Sequence, residues 1–451
     1  MVSLSAGDGA PPKSAVFPST ALAYLFLLPV SLALAAFWIP ALKIPILIFD
    51  FLIAVVALAD LVASRGGRFV LTRSYRDILS VGKSNAFDVT LTWHGLRTIQ
   101  AQLRADLPAH WQCPEFPLKT VLKPEEPATL RHHLIPQSRG DATLGDHFIR
   151  FPTRWGLWIR EERYPAHEKL KVYPDLATIR SYELLSRKHR QYALVRASSL
   201  RGGESEFSRL RDYTKDDNYR FVDWKATARR GKLTAREYQL ESDQNIVLVL
   251  DAGRLMTAET RGLAQFDHAL NACLLLAHVA GRGGDRVGLL CFDERVKLFM
   301  PVQAGPQTSQ RIAQQTYSLH PSLTDSSFAT GLAPLHSRLR QRSLIVLFTQ
   351  LSDDSAVHEL AVQVRLLAKK HLVLIVVLED ADLTACMGDA GDTSSGRDLY
   401  DKGAAAELLS WKARALEVLR QNGALLIGVD ASELTPRLIN RYLDLKARRA
   451  L

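Results

Sequence analysis

The chain has 451 residues, 47% of them hydrophobic and 23% charged, enough to bury more than one ordinary core, so several domains are expected. Its net charge of +10 suits an anionic partner, either a membrane leaflet or a nucleic acid. Lys and Arg are interleaved with Asp and Glu almost throughout, with no arginine-rich run, recognition-helix signature or aromatic-glycine RNA motif, which argues against nucleic acid.

Residues 1–20 read as a tail whose first basic residue is Lys13. Two apolar segments follow, Ala21 to Ile39 and Ile44 to Val62, separated by Pro40, Ala41, Leu42 and Lys43. Each approaches the ~20 residues that cross a bilayer core as a helix. The short connection predicts a transmembrane hairpin over 21–63, with Trp38 at an interface. Arg65, Arg68, Arg73 and Arg76 come directly afterwards, so the positive-inside rule puts everything after Val62, and both termini, in the cytoplasm, the two spans crossing a bacterial inner membrane. Ala33-Leu34-Ala35 offers the alternative of a cleaved signal peptide, against which stand the weak basic region before it and the apolar segment after it. Asp50 and Asp60 lie in the second segment, where an ionisable group is costly. Asp60 is expected near the cytoplasmic interface close to Arg65, and Asp50 in a polar contact across the hairpin or with a partner helix; a transporter subunit acting through Asp50 is a further reading.

From residue 66 to 175 short alternating runs dominate: Phe69 to Thr72, Phe87 to Trp93, Ile99 to Leu103, Ala128 to Leu134 and Lys169 to Tyr173. Period-two alternation over such lengths predicts an antiparallel β-sandwich. His132 and His133 are adjacent, so on a strand they face opposite ways and cannot share one metal in simple geometry.

Residues 176–243 form a linker and a dense block from Leu210 to Arg229, with nine ionic side chains around Tyr213, Tyr219, Phe221 and Trp224. Within it stand Arg211, Asp212, Tyr213, Asp217, Arg220, Val222, Asp223, Trp224, Lys225, Ala228 and Arg229. At these spacings the block resembles the signature of the bacterial domain-of-unknown-function 58 family; Asp216 and Asn218 depart from it, standing where the family usually has Gly and often a second Asp. The pairs Arg139-Gly140 and Leu144-Gly145, then Trp155-Gly156-Leu157 and Val172-Tyr173-Pro174, resemble the landmarks that close the family's β domain. Two roles are open to the block. It is either an ion-pair network bracing the domains with Trp224 buried at its centre, or a docking surface for a partner, for which aromatic and Arg side chains are the usual anchors.

Residues 244–451 alternate apolar strands and amphipathic helices: strands at 246–250, 287–292, 296–300, 344–348, 372–378 and 424–429, and helices at 266–280, 308–318, 328–339, 357–369, 404–421 and 434–447. Continuous apolar strands between helices specify a sheet covered on both faces. The order, with one antiparallel excursion, resembles a von Willebrand factor A-like domain. Such domains often hold a divalent cation through Asp-x-Ser-x-Ser, a Thr and a further Asp. Here Asp251 is followed by Gly253 and Leu255, Thr324 is available for the second loop, and Gln350 stands at the third with Asp353 and Asp354 displaced. Asp251 and Thr324 are thus the candidates of a degenerate metal site, and no metal or cofactor is expected. The stretch Gly281 to Asp285 lacks the Gly-Lys-Ser/Thr ending of a phosphate loop, and no Gly-x-Ser-x-Gly elbow occurs. Cys113, Cys273, Cys291 and Cys386 are scattered, and a cytoplasmic location predicts free thiols. The polar stretch from Glu379 to Lys402 reads as a surface loop.

Together these readings describe an α/β von Willebrand factor A-like domain joined to a β-sandwich and a transmembrane hairpin, acting as a membrane-anchored scaffold or adaptor and not as an enzyme. The family resemblance implies a MoxR-type AAA+ ATPase as partner, alongside the bilayer and other membrane proteins, in chaperone-like complex assembly. The competing reading is a metal-dependent ligand-binding protein or hydrolase working at the carboxyl edge of the A-like sheet.

Overall fold

The structure is a computed structural model and describes residues 2–6, 13–35, 38–39, 43–64, 66–75, 78–175, 207–213, 222–238, 244–305, 307–379, 396–431 and 433–448. The chain divides into two units, Met1–Tyr173 and Pro174–Leu451.

Unit one opens with β1 (Val2–Ala6) and β2 (Lys13–Pro18), then α1 (Thr20–Ala35) and α2 (Lys43–Ala63). It continues through β3 (Arg68–Tyr75), β4 (Leu79–Ser80), β5 (Asn85–His94), β6 (Ile99–Ala105), β7 (Leu118–Leu122), β8 (Pro127–Leu134), β9 (Gly140–Leu144), β10 (His147–Pro152), β11 (Trp158–Tyr164) and β12 (Glu168–Tyr173). Two antiparallel sheets, in the orders β1-β3-β5-β8 and β2-β11-β10-β6-β7, share one core, and β4-β12-β9 forms a third. Every second residue of β3 and β5 points into that core, so Phe69, Leu71, Val89, Leu91 and Trp93 meet Leu103, Leu122, Ile149 and Phe151 from the facing sheet. His132 is buried beside Phe87 and Phe116, whereas His133 faces outward to Glu115.

Residues 1–20 differ from the expected tail: β1 pairs antiparallel with β3, and β2 with β11. β11 interrupts the simple alternation because it buries an acid. Glu162 is 3% exposed, accepts the Tyr164 hydroxyl at 2.7 Å and lies 3.4 Å from Arg160.

Of the two apolar helices, α2 has 21 residues and is long and apolar enough to cross a membrane, whereas α1 has 16 and contains Pro29. They pack through Leu22 and Leu25 against Phe49, Ile53 and Ala57. Asp50 is half-buried in α2. Asp60 is fully buried; Arg65, its expected neighbour, lies outside the described residues. The Asp60 carboxylate accepts the Thr153 hydroxyl at 2.5 Å and the Trp155 and Leu157 N–H groups at 2.8 and 3.2 Å. The reason is local: the loop between β10 and β11 turns its backbone donors inward, and a carboxylate at the end of α2 satisfies several of them at once. Trp158 Nε1 adds a bond to the Ala57 carbonyl at 2.8 Å. At the start of α1, Ser19 donates its N–H to the Leu157 carbonyl and its hydroxyl to that of Gly156.

In unit two, β13 (Phe207–Asp212), α3 (Trp224–Arg230) and β14 (Thr234–Tyr238) precede β15 (Asn245–Asp251). A short ribbon of β16 (Glu259–Thr260) and β17 (Leu263–Ala264) leads to α4 (Gln265–Arg282), β18 (Arg286–Phe292), β19 (Val296–Gln303), α5 (Thr308–Thr316), α6 (Phe328–Arg338), β20 (Ser343–Thr349), α7 (Asp354–Ala368), β21 (Leu372–Glu379), α8 (Gly396–Gln421), β22 (Ala424–Asp430) and α9 (Leu434–Ala447). The six-stranded sheet runs β19-β18-β15-β20-β21-β22, parallel except for β19. This is the order of a von Willebrand factor A-like fold. Alternate residues of β15 serve opposite faces: Ile246, Leu248 and Leu250 pack with α4 and α9, and Val247 and Val249 with α6 and α7. Both faces are covered, which is why the strands read as unbroken apolar runs. α8 begins at Gly396 rather than Ala404; residues 176–206, 214–221 and 380–395, and with them Asp217, Arg220, Phe221 and Cys386, lie outside the described residues. Cys113, Cys273 and Cys291 are free thiols.

Candidate functional site

The signature block folds into a small capped unit. β13 and β14 pair antiparallel, with Arg211 opposite Ala235 and Asp212 opposite Thr234. Between them Asp223 caps α3, its carboxylate accepting the Ala226 N–H at 2.9 Å, while its own N–H donates to the Thr234 carbonyl at 2.9 Å. Gly231 ends the helix at φ 65°, a left-handed value that favours glycine, and its N–H bonds the Thr227 carbonyl. Tyr213 donates its N–H to the Leu233 carbonyl at 2.9 Å. The residues that bury here are Val222, Ala226, Thr234 and Ala235. Val222, just before the cap, bridges antiparallel to Ala235, and Ala226, in the first turn, marks the side of the short helix that faces inward.

That phase turns the other positions out. Trp224 is 63% exposed, and Lys225, Arg229 and Arg230 are exposed as well. The expectation of a buried Trp224 bracing the block is therefore corrected: Trp224 follows the capping Asp223 directly and projects from the first helical position, away from Val222 and Ala226.

At the carboxyl edge of the six-stranded sheet, Asp251 ends β15 where the strand order reverses, the place at which open α/β sheets form crevices. It is 2% exposed. One carboxylate oxygen accepts the Gly253 N–H at 2.9 Å and the Ser326 hydroxyl; the other accepts the Thr349 hydroxyl, from neighbouring β20, at 2.5 Å. Burial pushes the Asp251 carboxyl above its ordinary value, with nearby Asp293 adding to the effect and these three donors opposing it. The loop after α5 lies across the strand ends: Ser322 donates its N–H to the Ala252 carbonyl, and Arg254 its N–H to that of Thr324, both at 2.8 Å. The Thr324 hydroxyl is 2.8 Å from that of Ser322, which in turn donates to Asp293 at 2.7 Å. Although burial opposes it, the Asp293 carboxyl is held at about 2 by the Arg295 N–H, the Ser322 hydroxyl and the Lys297 ammonium 3.0 Å away.

The edge thus brings together Asp251, the Thr324 loop and the end of β20, but the Gln350 side chain turns off to the Leu378 carbonyl and Gln265, at 2.6 and 2.7 Å. Asp353 caps α7 through the Ala356 N–H. Ser326 and Thr349, which no motif marks, are the direct partners of Asp251; the missing side chain at Gly253 was the available clue, because a carboxylate so buried must draw its donors from elsewhere. This donor set does not fit a divalent cation. Gly253 and Leu255 replace the hydroxyls, Asp293 is already matched by Lys297, and among the described residues no group of three or more His, Cys, Asp or Glu side chains could hold a metal ion.

Residues 209–392 match the family described as "Protein of unknown function DUF58". "Uncharacterized protein YeaD" of Bacillus subtilis (strain 168) is 22% identical over 228 residues, which are 50% of this chain and 54% of that protein, so the chain spans about half the length of the curated relative it matches. Among solved structures, the chain is similar to conserved hypothetical protein BatB from Bacteroides thetaiotaomicron, with 13% identity, 46% of this chain and 99% of that one covered, and a TM-score of 0.30. It is similar also to an aerotolerance-related membrane protein from Bacteroides fragilis NCTC 9343, with 14% identity, 44% and 97% covered, and a TM-score of 0.27.

Proposed function

Residues 209–392 belong to the DUF58 family, and from that premise we propose that the chain is a membrane-anchored cytoplasmic scaffold or adaptor that works with a MoxR-type AAA+ ATPase in assembling other membrane complexes. The observation that carries this reading is Trp224, exposed on a helix fixed at both ends that also exposes Lys225, Arg229 and Arg230. An aromatic side chain held rigid loses little entropy on binding, and it is the type most often found as an interface anchor. These cations suit an acidic partner surface. The ATPase itself comes from the family resemblance.

Support for the two-span hairpin comes from connectivity. β2, directly before α1, is a strand of unit one, and the end of α2 is bonded into the same unit through Asp60. A chain that leaves one unit through α1 and returns to it through α2 has both helix ends on one side. Leu47, Phe51 and Leu58 stand outward and exposed on α2, as lipid-facing side chains do.

The test is co-purification of the full-length tagged chain from membranes containing a MoxR-type ATPase. The parent chain retains the ATPase, whereas Trp224→Ala combined with Arg229→Glu loses it while melting at the same temperature. Undiminished retention by that variant removes α3 as the docking surface.

A further inference from the structure

The end of unit one nearest the close of α2 carries exposed apolar side chains together with several basic ones. The β5–β6 turn and the β10–β11 loop meet there: Arg97 donates to the Pro152 carbonyl at 3.1 Å, and Trp93 Nε1 to the Arg97 carbonyl at 2.8 Å. On these two loops Leu96 is 99% exposed and Trp155 54%, and Phe17, at the end of β2, is 44% exposed.

Depth follows from helix length. At 1.5 Å per residue the 21 residues of α2 span about 31 Å, close to the ~30 Å of a bilayer's hydrocarbon core. With Lys43 at the far boundary, Ala57 to Ser64 occupy the last ~10 Å before the cytoplasmic face. The β10–β11 loop is bonded along that stretch: Trp158 to Ala57, Thr153, Trp155 and Leu157 to Asp60, and the Arg154 N–H to the Ser64 hydroxyl at 3.1 Å. A loop bonded along these last turns reaches from the edge of the hydrocarbon core at Ala57 to the headgroup layer at Ser64, the interfacial zone where Trp is favoured.

The charges agree. Arg68 and Arg154 are exposed and Arg97 half-buried at this end. Of the nearby exposed acids, Glu126 is paired with Lys123 at 3.3 Å and Glu125 lies 2.7 Å from the His94 ring, so the three arginines outnumber the unpaired carboxylates. Basic side chains beside a bilayer attract anionic headgroups.

We propose that this end of unit one is an anionic-lipid-binding face, with Leu96 and Trp155 inserted in the headgroup layer and Arg68, Arg97 and Arg154 on lipid phosphates. The inference rests on the membrane-anchored reading. It adds that unit one is seated on the bilayer and is not simply tethered to it.

The test uses the full chain carrying Cys113→Ser and Cys386→Ser, in phosphatidylglycerol vesicles, with a nitroxide attached after Leu96→Cys, Trp155→Cys or, as a control at the opposite end of β5, Ser84→Cys. Labels at 96 and 155 are expected to be several-fold less accessible to a water-soluble nickel chelate than the label at 84. The difference is expected to shrink in uncharged phosphatidylcholine vesicles and on Arg97→Gln with Arg154→Gln. Equal chelate access at all three positions, in protein that survives an alkaline wash of the vesicles, overturns the lipid-binding face and leaves the anchor standing. Protein that washes off overturns the anchor and the face together.

Discussion

Ser326 holds its hydroxyl in the space where a side chain on Gly253 would begin: a Cβ there would collide with Ser326 Oγ. The same hydroxyl serves Asp251. Gly253→Ala should therefore drive Ser326 off the carboxylate and cost about 1–3 kcal/mol, the usual effect of removing a buried group's donor. Ser326→Ala should cost a similar amount. The two together should cost much less than their sum, since both remove one bond. Urea unfolding of the four proteins checks this; strict additivity is the contrary result.

Asp251→Ala should lower stability without changing bound metal, because the carboxylate's partners are hydroxyls and an N–H. Elemental analysis alongside thermal melts reads both quantities. Stoichiometric magnesium or manganese lost on substitution is the outcome that contradicts this account.

Trp224→Ala should change the stability of unit two by less than about 1 kcal/mol, as for an exposed position. A melting curve displaced by more than a few degrees would return Trp224 to a bracing role.

Acid should weaken unit one. Burial lowers His132 to about 4; it lowers His147, whose Nε2 accepts from the Arg73 guanidinium at 2.7 Å, to about 3 with Arg73 contributing. Both lie below the ordinary value near 6.5, so the unfolded chain binds more protons between these limits. The stability from keeping both rings neutral is complete above about pH 6.5 and is lost as pH falls toward 4 and 3, at up to roughly 1.4 kcal/mol per pH unit for each ring. Melting temperature against pH should show this slope, and His147→Gln should flatten it.

Tyr442→Phe should cost about 1–3 kcal/mol, because the Tyr442 hydroxyl donates to the buried carboxylate of Asp285 and ties α9 to the start of β18. Lys446, 2.7 Å from the same carboxylate, remains in place and limits the loss. Chemical denaturation of the pair of proteins measures it.

The A-like sheet was legible because its central strands β15, β18, β20 and β21 are apolar on both faces; α9 spans Leu434–Ala447 as read. Unit one was less so. β11 buries Glu162 with its partners on its inner face, and β1 and β2 are separated from their pairing strands by both helices. At the sheet edge, Asp251 and Thr324 are visible as remnants of a known pattern, whereas Ser326 and Thr349 matter only through long-range contact. Trp224 misled because an aromatic amid charges resembles a buried hub, while the side of α3 that faces inward is marked only by the small residue Ala226.

The pairing of β2 with β11 also dictates a timetable for synthesis. Pro18 lies opposite Trp158, so β2 leaves the ribosome about 140 residues before its partner strand exists, with the apolar hairpin made in between. On the proposed membrane-anchored reading, α1 and α2 reach the bilayer while β2 is still unpaired, and the sheet closes only when the strand that follows the Asp60-bound loop arrives. Whatever becomes of the two helices, an open strand edge is exposed for the time it takes to translate most of unit one.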